Sequence, residues 1–328
     1  MPAELAGGWR QAHREAALTA LVQRRDLLAL GKILKQAQID AIVLKGGWLA
    51  WNVWPDPAER MLRDLDLLVR QADAARALDA LLAAGLTPLE PLPDDAASHA
   101  AANKKLAVLA TQAGTIVELH AHAWEPPGSM EWPTTPVADE RLFVRSTRDE
   151  ASGLLALAPE DMLAQLAIHA AYSHRFEVGP LVLADVDYLL REHVLDWPRF
   201  WAEAAAGGYL RGAALTLALV DRWRIPNLLQ TAQCAVAVPS QAIDDASLLL
   251  LQPTARRRDT RSLAAFRQAR GEDGLATAAA LGFARLGKTI RDPAHMLRRL
   301  GETARAMRDP DVARSARSSA LVGSWLES

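Results

Sequence analysis

Two aspartates, Asp64 and Asp66, interrupt the apolar run ERMLRDLDLLVR, and a glutamate, Glu118, interrupts a second one, TIVELHAHAW. On an extended strand, side chains two apart share a face, so Asp64 and Asp66 point the same way, about 7 Å apart. Carboxylates placed like this repel each other unless a cation sits between them. Hard oxygen ligands suit Mg²⁺, which keeps several waters and takes one or two protein carboxylates plus substrate phosphates. The plainer reading is a strand end whose aspartates are solvated, or paired with Arg60 and Arg63 just upstream. In the second run Val117, Leu119 and Ala121 face one way, and Glu118, His120 and His122 the other. Glu118 is thereby placed to complete a three-carboxylate cluster, a set that can hold two metal ions.

Upstream of the pair, the apolar stretch AIVL ends in Lys45, Gly46 and Gly47 and then enters a helical pattern. Glycines after a strand let backbone approach a phosphate, and the free N–H groups of a helix start favour an anion, with Lys45 adding charge. An ordinary tight turn has the same sequence. The face shared by Glu118, His120 and His122 also matches a strand-borne site for zinc or another transition metal, and with it a metal-dependent hydrolase. The other readings of that face are a histidine that contacts substrate or orients Glu118, and a polar surface without chemistry. His169 and His174, five apart on one expected helix, lie about 140° from each other around its axis. On spacing alone they are read as satisfied interior histidines. Trp48, Trp51 and Trp54 form a drifting helical stripe of core type. Trp124, at the end of the Glu118 strand, is the better candidate for stacking on a nucleobase.

These residues need a scaffold, and the pattern supplies one. Residues 9 to about 38 have helical apolar spacing; DAIVLKGG reads as a strand into a turn; GWLAWNVW is helical until PDP stops it. DLDLLV is the next strand, and QADAARALDALLAAG a helix with Gly85 at its C-cap. Residues 87 to 103 read as an exposed connection, KKLAVLAT and TIVELHAHAW as a hairpin, and residues 125 to 139 as a proline-rich loop. After about residue 156 the pattern is helical, beginning with PEDMLAQLAIHAAYSH. The expected architecture is α+β: a mixed sheet with flanking helices in residues 1–155, then an all-helical half, 156–328.

Composition narrows the class. The chain of 328 residues is 50% hydrophobic and 23% charged, enough to bury a sizeable core. Its one cysteine, Cys234, excludes an internal disulfide framework and a Cys-rich zinc site. No apolar run reaches the roughly 18 residues that span a bilayer, and the opening residues lack a signal-peptide pattern, so a cytoplasmic location and no membrane partner are expected. From residue 251 onward, 15 Lys and Arg stand against 8 Asp and Glu. That excess admits an anionic partner such as RNA. Its interleaving with acids and alanines favours solvated helix faces instead.

The order strand, Gly-Gly, helix, strand with D-x-D, helix, strand with Glu resembles the polymerase-β-like nucleotidyltransferase superfamily. Within it the chain looks most like the bacterial uncharacterised nucleotidyltransferase family. The pieces that carry the likeness are IVLKGGWLA, PAERMLRDLDLLV, IVELHAHAW and LAIHAAYSH…LADVDYLL, spread over residues 40 to 190. The resemblance implies that Asp64, Asp66 and Glu118 bind Mg²⁺, with two ions and Mn²⁺ as an alternative, and that Glu118 serves as general base. It implies that Gly46 and Gly47 cradle the β- and γ-phosphates of a nucleoside triphosphate. Arg60 and Arg63 would neutralise phosphate or position the aspartates, His169 and His174 would make a substrate-side or structural contact with Asp185, and the helical half would shape the acceptor site. The implied reaction moves a nucleoside monophosphate to an acceptor: a small molecule, a peptide or saccharide natural product, or a tRNA. Two departures stand out. Gly47 occupies the place of a serine whose hydroxyl bonds phosphate, and Glu118 stands where many members have Asp. The first leaves open a non-catalytic module that binds nucleotide or a partner.

Overall fold

The computed structural model describes residues 3–125, 139–254, 256–257 and 309–328. Most of the basic excess after residue 251 and the expected loop at 125–139 lie outside the described residues. The chain packs as two compact units, one of Met1–Ile168 with Leu183–Leu210, the other of His169–Val182 with Arg211–Ser328.

In the first unit, the long helix α1 (Ala3–Gln36) leads to β1 (Ala41–Val43), α2 (Gly46–Asn52) and β2 (Leu65–Val69). Then come α3 (Ala74–Ala83), β3 (Thr87–Pro88), α4 (Ala96–Ala102), β4 (Lys105–Ala110) and β5 (Ile116–His120). Helix α5 (Asp139–Arg145), the two-residue strands β6 (Thr147–Arg148) and β7 (Leu155–Ala156), and α6 (Pro159–Ile168) follow. The unit is completed by α7 (Leu181–Glu192) and α8 (Trp197–Ala206). The seven strands form one mixed sheet in the order β3-β4-β5-β2-β1-β7-β6. β2 runs antiparallel to β1 and parallel to β5, and β4 and β5 form the expected antiparallel hairpin.

Alternation along these strands builds the core. Val43, Leu65, Leu67, Val69, Val117 and Leu119 are buried in a cluster with Leu27, Leu30 and Leu34 of α1 and Ala77, Leu78 and Leu81 of α3. Because the side-chain period is 2, filling that face with aliphatics sends Asp66 and Glu118 to the other one.

Three elements depart from expectation. Residues 87 to 103, read as a connection, contain β3 and α4; Asp95 caps α4 by accepting from the N–H groups of Ala97 and Ser98. β7 pairs parallel with β1 and widens the sheet beyond the hairpin. The helix expected through His174 ends at Ile168 and passes into a π-helical turn, His169–Ser173.

The second unit is helical among its described residues: α9 (Leu210–Trp223), α10 (Leu228–Thr231), α11 (Ser240–Leu251) and α12 (Pro310–Glu327). The Ser318 hydroxyl on α12 donates to Asp245 on α11 at 2.5 Å, and Arg256 pairs with Asp311 at 2.7 Å. Gly212 is required by close approach: a Cβ there would lie 2.3 Å from the Tyr172 ring, whose hydroxyl accepts from the Gly212 N–H.

Gly31, in the middle of α1, has a similar reason. A Cβ at this position would stand 2.0 Å from the Ser152 carbonyl oxygen. Alanine is the better helix former by about 1 kcal/mol, yet the backbone clash outweighs that gain. Gly31→Ala is therefore expected to lower stability in urea unfolding by about 1–3 kcal/mol. An increase in stability would show that α1 is free to move away from this loop.

Candidate active site

The parallel pairing of β2 and β5 sets Asp66 beside Glu118 and Leu68 beside His120. Both strands send Leu65, Leu67, Val117 and Leu119 into the core, so Asp66, Glu118 and His120 emerge together on the opposite face. Carboxylate oxygens of Asp66 and Glu118 and a ring nitrogen of His120 lie within 4.8 Å of one another, close enough to share one metal ion.

Asp66 is gripped at both oxygens. Lys45 donates from Nζ to Oδ2 at 3.2 Å, and the His120 Nε2 is 2.8 Å from Oδ1. Since a carboxylate only accepts, this contact fixes the proton of His120 on Nε2. Burial pushes the His120 pKa down, against the pull of Asp66, which favours the neutral ring. Its Nδ1 is then a buried lone pair with no hydrogen-bond partner among the described residues. Glu118 accepts from Lys105 Nζ at 3.2 Å, and its second oxygen is 3.5 Å from His120 Nε2.

Asp64 lies one residue before β2 and is half-buried. Burial, then the charges of Asp66 and Glu118, raise its pKa from 3.8 to about 6, opposed by Lys45 and Arg63. Asp66 and Glu118 of the expected acid set come together with His120, a closer member than expected, and Asp64 is coupled to them through charge. Two carboxylates and a half-buried third carboxyl, its pKa raised by burial and then by like charge, fit a divalent cation, with His120 bracing Asp66 through its Nε2 proton. Hard oxygen donors of this kind suit an ion such as Mg²⁺ or Mn²⁺.

The turn before α2 is strained at Lys45, whose φ of 45° and ψ of −128° are rare for a residue with a side chain. Such a conformation costs about 1–3 kcal/mol and persists only when its surroundings impose it. Here the Lys45 N–H donates to Gln165 Oε1 at 3.3 Å while its ammonium reaches Asp66. Both glycines are buried for reasons of packing. A Cβ on Gly46 would stand 2.8 Å from Leu62 and 2.9 Å from the Arg60 guanidinium, and one on Gly47 3.0 Å from Val43.

Other expected site residues are differently employed. Arg60 is committed to Asp185 through Nε at 2.7 Å and Nη2 at 2.9 Å, and donates from Nη1 to the Met61 carbonyl. Asp185, only 2% exposed, also accepts from the Trp54 indole at 2.8 Å. Arg60, Asp185 and Trp54 thus form a buried clamp against Gly46, where the sequence had suggested a phosphate ligand and a partner for histidine. Arg63 is exposed and makes no hydrogen bond or ion pair among the described residues.

His122 turns away from the cluster. Its Nδ1 is 2.8 Å from Asp139 and its Nε2 2.8 Å from the Ala100 carbonyl, so the Glu118–His120–His122 metal set is not assembled. The chain has left the β5 strand by residue 122, and strand alternation no longer applies. Trp124 is buried, at 7% exposure, which leaves little ring face for a base. His169 and His174 belong to the second unit, their rings edge to face at 4.4 Å. The π-helical turn removes the angular separation that a regular α-helix would give them.

Three contributors were missed. Lys105 opens β4 directly opposite His120, a neighbour relation visible only once hairpin register is known. Lys104 is 16% exposed, 3.8 Å from Glu125, and burial followed by the charge of Lys45 lowers its pKa. Gln165 comes from α6. The paired lysines of KKLAVLAT were the available signal.

A mixed sheet that presents strand-borne carboxylates beside a strand–Gly-Gly–helix turn defines the nucleotidyltransferase fold. Residues 1–224 match the family model described as uncharacterised nucleotidyltransferase, and the chain belongs to that family. Among solved structures, an antigenic nucleotidyltransferase-like protein from Paracoccidioides brasiliensis is similar over 66% of this chain and 94% of its own, at 15% identity and a TM-score of 0.40. No curated protein matches the chain. No described helix is long and apolar enough to cross a membrane.

The raised pKa of Asp64 has a defined effect on stability. A carboxyl whose folded pKa exceeds its unfolded value of 3.8 favours the folded state below that pH. The contribution is lost as pH rises from there through about 6. Metal-free Asp64→Asn is thus expected to melt above the parent at pH 7.5, the difference vanishing near pH 4. Equal melting temperatures throughout would show that neither burial nor the neighbouring carboxylates disfavour the charged form of Asp64.

Proposed function

We propose that the protein is a Mg²⁺-dependent nucleotidyltransferase that moves a nucleoside monophosphate from a triphosphate to a hydroxyl or phosphate acceptor. The observation that carries this reading is the Asp66–Glu118–His120 group on one sheet face, with Asp64 coupled to it, in a chain of this family. Asp64, Asp66 and Glu118 would hold the metal, Mn²⁺ serving as well as Mg²⁺. Divalent ions bound there would neutralise triphosphate charge and lower the pKa of an attacking hydroxyl.

Glu118 is assigned as general base, taking the acceptor proton while the acceptor oxygen attacks the α-phosphorus. The bond from that phosphorus to the bridging oxygen breaks, and pyrophosphate leaves with the electron pair. His120 holds the Asp66 carboxylate in place through its Nε2 proton. Lys45 and the backbone at Gly46 and Gly47 are assigned to the β- and γ-phosphates. Because the protein makes no covalent bond to substrate, orientation and charge neutralisation carry the rate. The acceptor would be a small molecule, a peptide or saccharide, or a tRNA end.

A second reading, nucleotide or partner binding without turnover, draws on Gly47, which offers no hydroxyl to a phosphate. The two separate in one experiment: four labelled nucleoside triphosphates with Mg²⁺ and cell extract, following label transfer and pyrophosphate release. Transfer is expected, and Asp64→Asn or Asp66→Asn should reduce it at least about a hundredfold while the protein stays folded. Full activity in either variant would sink the mechanism, and binding without pyrophosphate release would favour the second reading.

A further inference from the structure

Two of the three carboxylates of the proposed metal site, Asp66 and Glu118, each already hold an ammonium. Lys45 Nζ lies 3.2 Å from Asp66 Oδ2, with the two side chains 16% and 8% exposed. Lys105 Nζ lies 3.2 Å from Glu118 Oε1. A Mg²⁺ or Mn²⁺ ion binds a carboxylate oxygen at about 2.1 Å. An ammonium left on the same carboxylate would then stand within about 5 Å of a doubly charged ion, where repulsion in a partly buried site is strong. Metal and lysine therefore compete for the same oxygens.

For Lys105 there is room to move. Lys105 also lines a cavity of about 230 Å³ with Glu90, Pro93, His99 and Val108, and its side chain is 40% exposed. A lysine suits such movement, being a compact charge on a flexible stem, whereas the planar fork of arginine is committed to one geometry. Lys104, next in sequence to Lys105, adds a third cation and has Glu125 at a loose 3.8 Å. Once divalent metal enters, these ammoniums lose their carboxylate counter-charge and require an anion in its place.

We propose that Lys45 and Lys105 are exchangeable counter-cations: they neutralise Asp66 and Glu118 before metal binds, then hold the nucleotide triphosphate after metal displaces them. Lys104 reinforces the anion site. This rests on the nucleotidyltransferase reading and deepens it by assigning phosphate recognition to the start of β4. It makes metal and nucleotide binding mutually supportive, since each supplies the charge that the other leaves uncompensated. It also gives this chain a phosphate contact that does not depend on a hydroxyl at residue 47.

The test is calorimetry on the full chain with two probes, Mn²⁺ alone and Mn²⁺ with α,β-methylene triphosphate analogues of the four nucleosides. Lys105→Ala removes a competitor for Glu118, so Mn²⁺ alone should bind about two- to fivefold more tightly than to the parent. The same variant should bind the Mn²⁺–analogue complex about tenfold more weakly. A lysine with a purely structural role would not move the two affinities in opposite directions. Lys105→Met keeps the aliphatic stem and takes the place of alanine if the truncation lowers the melting temperature. Both affinities falling, or neither changing, would overturn the exchange while leaving the metal site standing. A parent protein that binds no analogue with Mn²⁺ would overturn the nucleotidyltransferase reading, and the exchange with it.

Discussion

The register between β2 and β5 is the constraint on which the rest of the site depends. Pairing Leu65 with Val117 and Leu67 with Leu119 buries four aliphatic side chains on one face of the sheet. The same pairing brings Asp66 to Glu118 and Leu68 to His120 on the other. Slipping either strand by one residue would send its carboxylate into the core and its leucines out. Core burial therefore defends the site geometry: the free energy that resists misregister comes from aliphatic packing, while the carboxylates, mutually repulsive, contribute none of it. At Asp64, burial and then the charges of Asp66 and Glu118 raise the pKa to about 6.

That division explains what could be read from sequence. Apolar runs broken by single carboxylates in DLDLLV and TIVELH identified both strands, and residue parity the face of each carboxylate, because period-2 geometry is a property of each strand alone. The Lys45–Gly46–Gly47 turn was legible for the same local reason. What escaped depends on partners distant in sequence. The Arg60–Asp185 bond spans 125 residues, and nothing near either residue announces it. Lys105 meets Glu118 through hairpin register, and β7 is two residues long, too short to show any period. His122 failed for another reason: the strand pattern was extended past His120, where the backbone leaves the sheet and Asp139 and Ala100 take up the ring.

Around the carboxylates, charge is arranged so that no acidic group of the cluster is left without a cation or like-charge relief. Asp66 has Lys45, Glu118 has Lys105, and Asp64 is kept from ionising until about pH 6. A buried acid left bare would cost several kcal/mol, and an ammonium at 3.2 Å offsets part of that at Asp66. Glu118, more exposed, has an ammonium at the same distance. Arg60 shows the contrasting design. Its bidentate bond to a carboxylate 2% exposed, shared with the Trp54 indole, is a permanent support beneath Gly46. Arginine sits where one geometry is fixed and lysine beside the carboxylate cluster, a division that follows from fork geometry against a mobile point charge.

Lys45 concentrates these demands in one residue. Its backbone adopts a positive φ that glycine would accept with less strain, and glycines stand at the next two positions. The turn could have placed its side-chain-bearing residue elsewhere and a glycine here. Lysine at 45 therefore implies that the ammonium on Asp66 is worth more than the strain, which Gln165 helps to hold by accepting the Lys45 N–H. The glycines at 46 and 47, meanwhile, are fixed by Leu62, Arg60 and Val43, which leave no room for a Cβ on Gly46 and little on Gly47. A serine at 47 would have to push against Val43 on the strand that carries the turn. The missing hydroxyl is thus a consequence of close packing between α2 and β1, and it does not by itself mark a site that has lost its chemistry.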